Sequence, residues 1–223
     1  SLHFTLAYPE KAGIHLDAPS LPVYSRQSSA RSDLAAQKLY DKLCRLDPDR
    51  LSPDRRYTLK LLLYSLEQEI QEQNFPYYGE PLSPSSGLHT ELPLLLAEYT
   101  FRNEEDVKNY LAILGTVPEW ADGLASYERE KAAAGLFMTD QDAANVIDQC
   151  VEILDEGSLS SGTHFLQTTF RDRLDQLFSQ GLITESGRET FLAENDRLLT
   201  TVVPPAYQSL CDELTLLMGQ GQY

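Results

Sequence analysis

At 223 residues and 25.1 kDa, with 42% hydrophobic and 23% charged residues, the chain has the make-up of a globular protein with one sizeable core, which excludes a disordered segment. Its formal net charge of -16 argues against nucleic acid or an anionic membrane as partner, because both demand clustered Lys and Arg. The charge is uneven, with ten basic against seven acidic residues up to residue 60 and eight against twenty-seven beyond it. A docking face and an ordinary solvated helix surface both fit that asymmetry.

Residues 1–27 hold Leu2, Phe4 and Leu6 in alternation and then Pro9, Gly13, Pro19 and Pro22, the pattern of an irregular segment packed on a bundle. Residues 28–223 are expected to form the helical domain. A first helix is predicted to start at the N-cap pair Ser32-Asp33 and to run to Leu46, with Ala36, Leu39, Tyr40, Leu43 and Leu46 on one side. Ser52-Pro53-Asp54 supplies an N-cap, a proline at the first helical position and an early acid, opening a second helix with the stripe Leu59, Leu62, Leu63, Leu66 and Ile70. Two such helices on a short connection pack as an antiparallel hairpin.

The helical pattern stops between Asn74 and Phe101, where four prolines, two glycines, three tyrosines and one histidine fall together. A long Pro/Gly-rich loop is predicted over residues 74–93. Asn103 followed by three acids starts the next helix, which ends at Gly115. Pro118 starts another, ending at a left-handed Gly135, and Thr139 to Asp142 reads as a capping box for a helix closed by Gly157. Ser158 to Gly162 is expected to be a small-residue loop, and Phe165 to Phe178 a helix ended by Gly181. From Thr184 to Met218 the pattern is helical but broken at Val202-Val203-Pro204-Pro205, since two prolines remove two donors. With no long alternating run, the fold class is all-α, a multi-helix bundle of antiparallel helical hairpins.

Chemistry is harder to find. The histidines His3, His15, His89 and His164 are isolated, with no His-Glu-x-x-His on a helix face, so no metal site is expected in this chain. His89-Thr90-Glu91 matches half of a zinc-deaminase pattern and lacks the cysteine half. Neither Ser83–Gly87 nor Gly157–Gly162 fits Gly-x-Ser-x-Gly, and Gly219-Gln220-Gly221 does not cradle a phosphate. Cys44, Cys150 and Cys211 are far apart in sequence and read as small buried hydrophobes. No stretch of about 18 uncharged apolar residues is present, so no membrane insertion is expected. Tyr77, Tyr78, Gly87 and His89 have two readings: a loop that packs across helix ends, or a rigid aromatic loop that lines a cleft.

The run FPYYGEPLSPSSGLHTELPLLLAEYTFRNEEDVKNYLAILGTVPEW, with YEREKAAAGLFMTDQDAANVIDQC, VVPPAYQSLCDEL, the LHFTLAYPEKAGI start and DPDRLSPDRRYTLKLLLYSLE, resembles the N-terminal half of the bacterial family called Domain of Unknown Function 885. The resemblance implies a largely helical protein grouped with gluzincin-type zinc metallopeptidases, whose His-Glu-x-x-Pro-Gly-His type motif lies in the C-terminal half. That motif is not in this sequence, so no family catalytic residue is carried onto it. What the resemblance implies is a chain that is not catalytic alone, partnered by its own C-terminal half, with zinc and a peptide substrate belonging to the whole protein. Tyr77, Tyr78, Gly87 and His89 then become candidates for shaping the substrate cleft. It further implies an extracytoplasmic lipoprotein with an upstream signal, the alternative being a cytoplasmic protein. Apolar stripes left bare by a missing half would favour dimerisation. The competing expectation is a noncatalytic helical module that binds another protein.

Overall fold

A computed structural model describes residues 18–221 and, among them, contains helices and no strands. The expectations for Leu2, Phe4 and Leu6 lie outside the described residues. By contact density the chain divides into two compact units, Tyr24–Gly79 and Glu80–Tyr223 together with Ser1–Val23.

The smaller unit is a helical hairpin of α1 (Arg26–Cys44) and α2 (Pro53–Glu72), linked through a short 3-10 turn at Pro48–Arg50. α1 starts six residues before the predicted Ser32-Asp33 cap, because the Ser25 carbonyl already accepts a helical hydrogen bond from the Ser29 amide at 3.0 Å. α2 starts as expected, with the Ser52 hydroxyl accepting from the Arg55 amide and Pro53 in the first turn, where its missing N–H has no helical partner to lose. The Tyr40 hydroxyl on α1 donates to Glu67 Oε1 on α2 at 2.6 Å.

The apolar stripes of this hairpin are wider than the seam they share. Ala36, Leu59 and Leu66 are buried, whereas Leu34, Leu39, Leu46, Leu61 and Leu62 are exposed. Two helices alone offer each other one contact line each, so residues flanking that line stay outside. Cys44, expected to be buried, is exposed for the same reason.

The larger unit holds α3 (Leu88–Glu98), α4 (Glu104–Gly115), α5 (Val117–Ala133), α6 (Asp140–Ile153), α7 (Glu156–Ser161), α8 (Phe165–Ser179), α9 (Glu185–Thr201) and α10 (Val203–Leu217). Three of the helix starts are set by side-chain caps legible in the sequence. Asn103 Oδ1 accepts from the Asp106 amide at 3.0 Å, and Thr184 Oγ1 accepts from the Gly187 amide at 3.0 Å. Thr139 Oγ1 accepts from the Asp142 amide at 3.1 Å and donates to Asp142 Oδ2 at 2.8 Å, so the aspartate closes the box through the hydroxyl. Gly135 and Gly181 take the left-handed conformation past α5 and α8, at φ 74 and 71.

Three boundaries differ from the sequence reading. Gly157 does not close α6, which ends at Ile153, and lies instead in the first turn of α7. Residues 158–161 are helical, because Asp155 caps the amides of Gly157 and Ser158 and starts α7 before the small residues begin, and Gly162 follows in the left-handed conformation. The Pro/Gly-rich connection ends at Gly87, so His89 and Pro93 stand inside α3. The break at Val202 appears where expected, with Pro204 and Pro205 in the first turn of α10, where their missing donors cost least.

α10 is the centre of this unit and packs against α5, α6 and α9, while α3 packs against α6 and α8. Leu114, Leu124, Val146, Phe170, Leu174, Leu210 and Leu214 are fully enclosed. Leu21, from the irregular segment, is buried too, and its amide donates to Thr116 Oγ1 at 3.0 Å. Arg173 on α8 ties the end of α3 into the core. Its Nη1 donates to the Leu96 and Tyr99 carbonyls, and its guanidinium lies 4.5 Å from the Phe101 ring centroid and 5.4 Å from that of Tyr110. An arginine there serves carbonyls at a helix end, where backbone donors run short, and adds to the one Tyr99 amide that Leu96 accepts.

Candidate functional site

Pro93 organises the neighbourhood of the sequence-nominated residues. In a helix the amide of residue 93 would donate to the carbonyl of residue 89, and proline has no such amide. The His89 carbonyl is filled from outside: the buried Tyr207 hydroxyl, on α10, donates to it at 2.9 Å. A proline that weakens α3 thus creates the acceptor that docks α3 onto α10.

The His89 side chain is fully enclosed. Gln149 Nε2, on α6, donates to the Pro84 carbonyl at 2.9 Å, which turns Gln149 Oε1 toward the imidazole. His89 Nε2 stands 2.8 Å from that oxygen and must therefore carry the proton. Nδ1 is left as a bare acceptor with no hydrogen-bond partner. Burial lowers the His89 pKa below its usual value, against an opposing pull from the Gln149 hydrogen bond, and the ring is neutral. Gly87 is the companion residue: a Cβ there would stand 2.3 Å from His89 Cε1 and Nδ1, and 2.7 Å from the Ser83 carbonyl oxygen. Glycine is required by the close approach of the ring.

The four nominated residues fall on both units. Gly87 and His89 are brought together within the larger one. Tyr77 and Tyr78 belong to the hairpin unit, where Tyr77 has φ 69, the one positive φ at a non-glycine residue among the described residues. Tyr78 is 67% exposed and meets Phe75 edge to face with centroids 5.9 Å apart.

A cavity of about 1000 Å³ lies behind the Tyr207 side of this arrangement. It is lined by the end of α6, the start of α7, Thr200 of α9 and the first turns of α10, including Glu152, Asp155 and Glu156 and the two buried thiols Cys150 and Cys211. The cysteines that looked unrelated in sequence line the same cavity. Sequence reading missed this cavity, Gln149 and the shared place of the two cysteines, because each depends on which helices become neighbours. The Pro93 inside an apolar helical run was the one signal in the sequence, since it announces an unserved carbonyl.

A second buried polar group lies on α5. Glu128 is fully enclosed with no hydrogen bond to either carboxylate oxygen, and burial pushes its pKa up to about 7, with Lys131 pulling down and Glu80 adding to the rise. Lys131, itself buried, pairs with Glu80. Among the described residues no three His, Cys, Asp or Glu side chains are grouped to hold a metal ion. His89, with one nitrogen bonded to an amide and the other against Gly87, does not fit zinc.

No curated protein matches this chain. The crystal structure titled "putative lipoprotein from Colwellia psychrerythraea" is similar in fold, with a TM-score of 0.80 at 15% identity, over 96% of this chain and 37% of that one. Over residues 9–220 the sequence matches the family described as bacterial protein of unknown function, DUF885, and the chain belongs to that family.

Proposed function

We propose that this chain is the helical, noncatalytic part of an extracytoplasmic zinc-dependent peptidase-like hydrolase, in which the metal and the chemistry belong to sequence outside the 223 residues. The observation that carries the reading is the coverage: the family match takes in nearly all of this chain, yet the similar lipoprotein structure is matched over 37% of its length. In this reading the Gly87–His89 arrangement fixes the α3 start, and the exposed Tyr78 is the nominated residue that can meet a peptide. His89 acts from inside, by holding α3 against α6 and α10.

The test is made on the whole gene product. Hydrolysis of a mixed peptide library should be abolished by a zinc chelator and restored by added zinc, and the 223-residue chain alone should be silent. A zinc-loaded whole protein that cleaves no peptide would overturn the reading.

A second reading has its own support. The hairpin Tyr24–Gly79 exposes Leu34, Leu61, Tyr57, Tyr64 and Phe75, each half-exposed or more, an apolar load that suits a binding module. Light scattering on this chain distinguishes the two. Self-association that substitution of Leu61 and Tyr64 by Ser removes, in a whole protein that cleaves nothing, would favour the module.

A further inference from the structure

We propose that the exposed stripe Tyr57, Leu61 and Tyr64 on α2 is a docking surface for a second copy of this chain, with the two α2 helices packed antiparallel about a two-fold axis. The proposal deepens the second reading above, resting on its view of the hairpin as a binding surface, and names the partner. The three residues follow one another at helical spacing and are 65%, 50% and 63% exposed. Leu59 and Leu66, which are buried, sit roughly half a turn round the helix from them. α2 therefore carries two apolar stripes, of which one is covered.

Charge says what covers the other. Arg55, Arg56 and Lys60 stand in the first half of α2 and Glu67, Glu69 and Glu72 in the second, all of them exposed. Asp54 is the exception, in the first turn, where the helix amides favour an acid. A parallel copy would set like charge on like. An antiparallel copy sets the basic half of each helix on the acidic half of the other, and the helix dipoles agree with that arrangement. A surface of a single charge sign, such as a lipid headgroup layer, would repel one half of α2 wherever it attracted the other.

With the axis between Leu61 and Tyr64, Leu61 meets the partner's Tyr64, and Lys60 comes within a turn of the partner's Glu67 on the same flank of the stripe. The Tyr40 hydroxyl holds Glu67 on that flank by donating to its Oε1. Over residues Tyr24–Gly79 the chain has nine basic against eight acidic residues, so none of the negative excess behind the net charge of -16 lies on the hairpin. Two copies approach there with least repulsion.

The test is sedimentation velocity across concentration, on the 223-residue chain and on the whole gene product. Expected is a dimer of both, with a Kd of about 10–100 µM for so small an interface. Leu61→Ser and Lys60→Glu should each raise that Kd roughly tenfold, since every exchange counts twice across the axis. Glu67→Lys should do the same. An equimolar mixture of the Lys60→Glu and Glu67→Lys chains should pair about as well as the parent, because each then offers the charge the other needs. A folding defect in either variant would persist in the mixture, so its recovery is the deciding readout. A monomer at every concentration would overturn the proposal, as would variants that associate no better mixed than alone. A dimeric 223-residue chain beside a monomeric whole protein would overturn it too, by assigning the stripe to the rest of the same molecule. Peptide hydrolysis by the whole protein counts against the module reading and leaves these association constants as they are, so the two fail separately.

Discussion

His89 and Glu128 are both fully enclosed titratable groups in the same helical unit, and the protein treats them in opposite ways. His89 can shed its charge at neutral pH and still donate a hydrogen bond, so burial costs it little and it becomes a junction between α3 and α6. Glu128 has no neutral form near pH 7 without taking up a proton, and no donor reaches its oxygens. The cation that acts on it, Lys131, is engaged with Glu80. The difference teaches that burial alone does not mark a structural residue. A group that is bonded where it is buried holds the fold, while one that is merely enclosed strains it as pH rises.

The junction should break most severely at Gly87. Gly87→Ala places a methyl inside contact distance of both the His89 ring and the rigid Ser83 carbonyl, and neither can yield without moving α3. Urea unfolding is expected to show a loss of about 3 kcal/mol. An alanine variant as stable as the parent would mean that the ring has room to turn.

Glu128→Gln tests the other side and should stabilise the protein. The folded pKa of about 7 lies above the usual 4.5, so between these values the unfolded chain ionises while the folded one stays protonated. Stability contributed by the protonated carboxyl is complete below the lower value, falls as pH rises through the window and is gone above pH 7. The variant should therefore gain about 2–3 kcal/mol above pH 7 and nothing at pH 4.5, read from thermal unfolding across pH. His89 has the reverse sign. Its folded pKa is depressed, so its stabilisation is complete above the usual 6.5 and is lost as pH falls below it toward the lower folded value. In the Glu128→Gln background only that acid limb should remain, and a slope that persists above pH 6.5 would assign the effect to another group.

Tyr207→Phe removes the donor that replaces the missing amide of Pro93, leaving the His89 carbonyl buried and unserved. A loss of about 1–2 kcal/mol is expected. Pro93→Ala restores an amide that can reach the same carbonyl, so the double variant should recover part of what Tyr207→Phe loses, and a strictly additive cycle would refute the link between Pro93 and Tyr207.

These contrasts also mark what could be read without coordinates. Helix starts at Ser52, Asn103, Thr139 and Thr184, and ends at Gly135 and Gly181, were legible because a cap or a left-handed residue acts locally. The α3 start was not, because Gly87 lacks a capping side chain and Pro93 reads as a breaker, while the helix through it is held by Tyr207 from far along the chain. The stripe on α2 was legible as a stripe, yet periodicity gives the direction of an apolar face and not the width of its partner, so Leu62 was placed inside and is outside. For the candidate site, Gly87 and His89 stood out because prolines, glycines and tyrosines crowd around them in one stretch, and Gln149, Cys150, Cys211 and Glu128 required knowledge of which helices meet.

The smallest effect belongs to the hairpin unit and separates an exposed aromatic from the enclosed groups above. Tyr78 is two-thirds exposed, and its ring meets Phe75, a contact that phenylalanine keeps. Tyr78→Phe should change stability by less than about 0.5 kcal/mol, since only a solvated hydroxyl is removed. That near-silence makes it the cleanest probe of the cleft reading, because any change in peptide hydrolysis by the whole protein then reports contact with substrate and not loss of fold. His89→Ala cannot serve this purpose: it empties a packed site, frees Gln149 and is expected to lower activity through stability alone. If Tyr78→Phe leaves both the KM and the kcat for peptides unchanged, the hydroxyl has no part in a cleft, and what the loop contributes reduces to the Gly87–His89 junction.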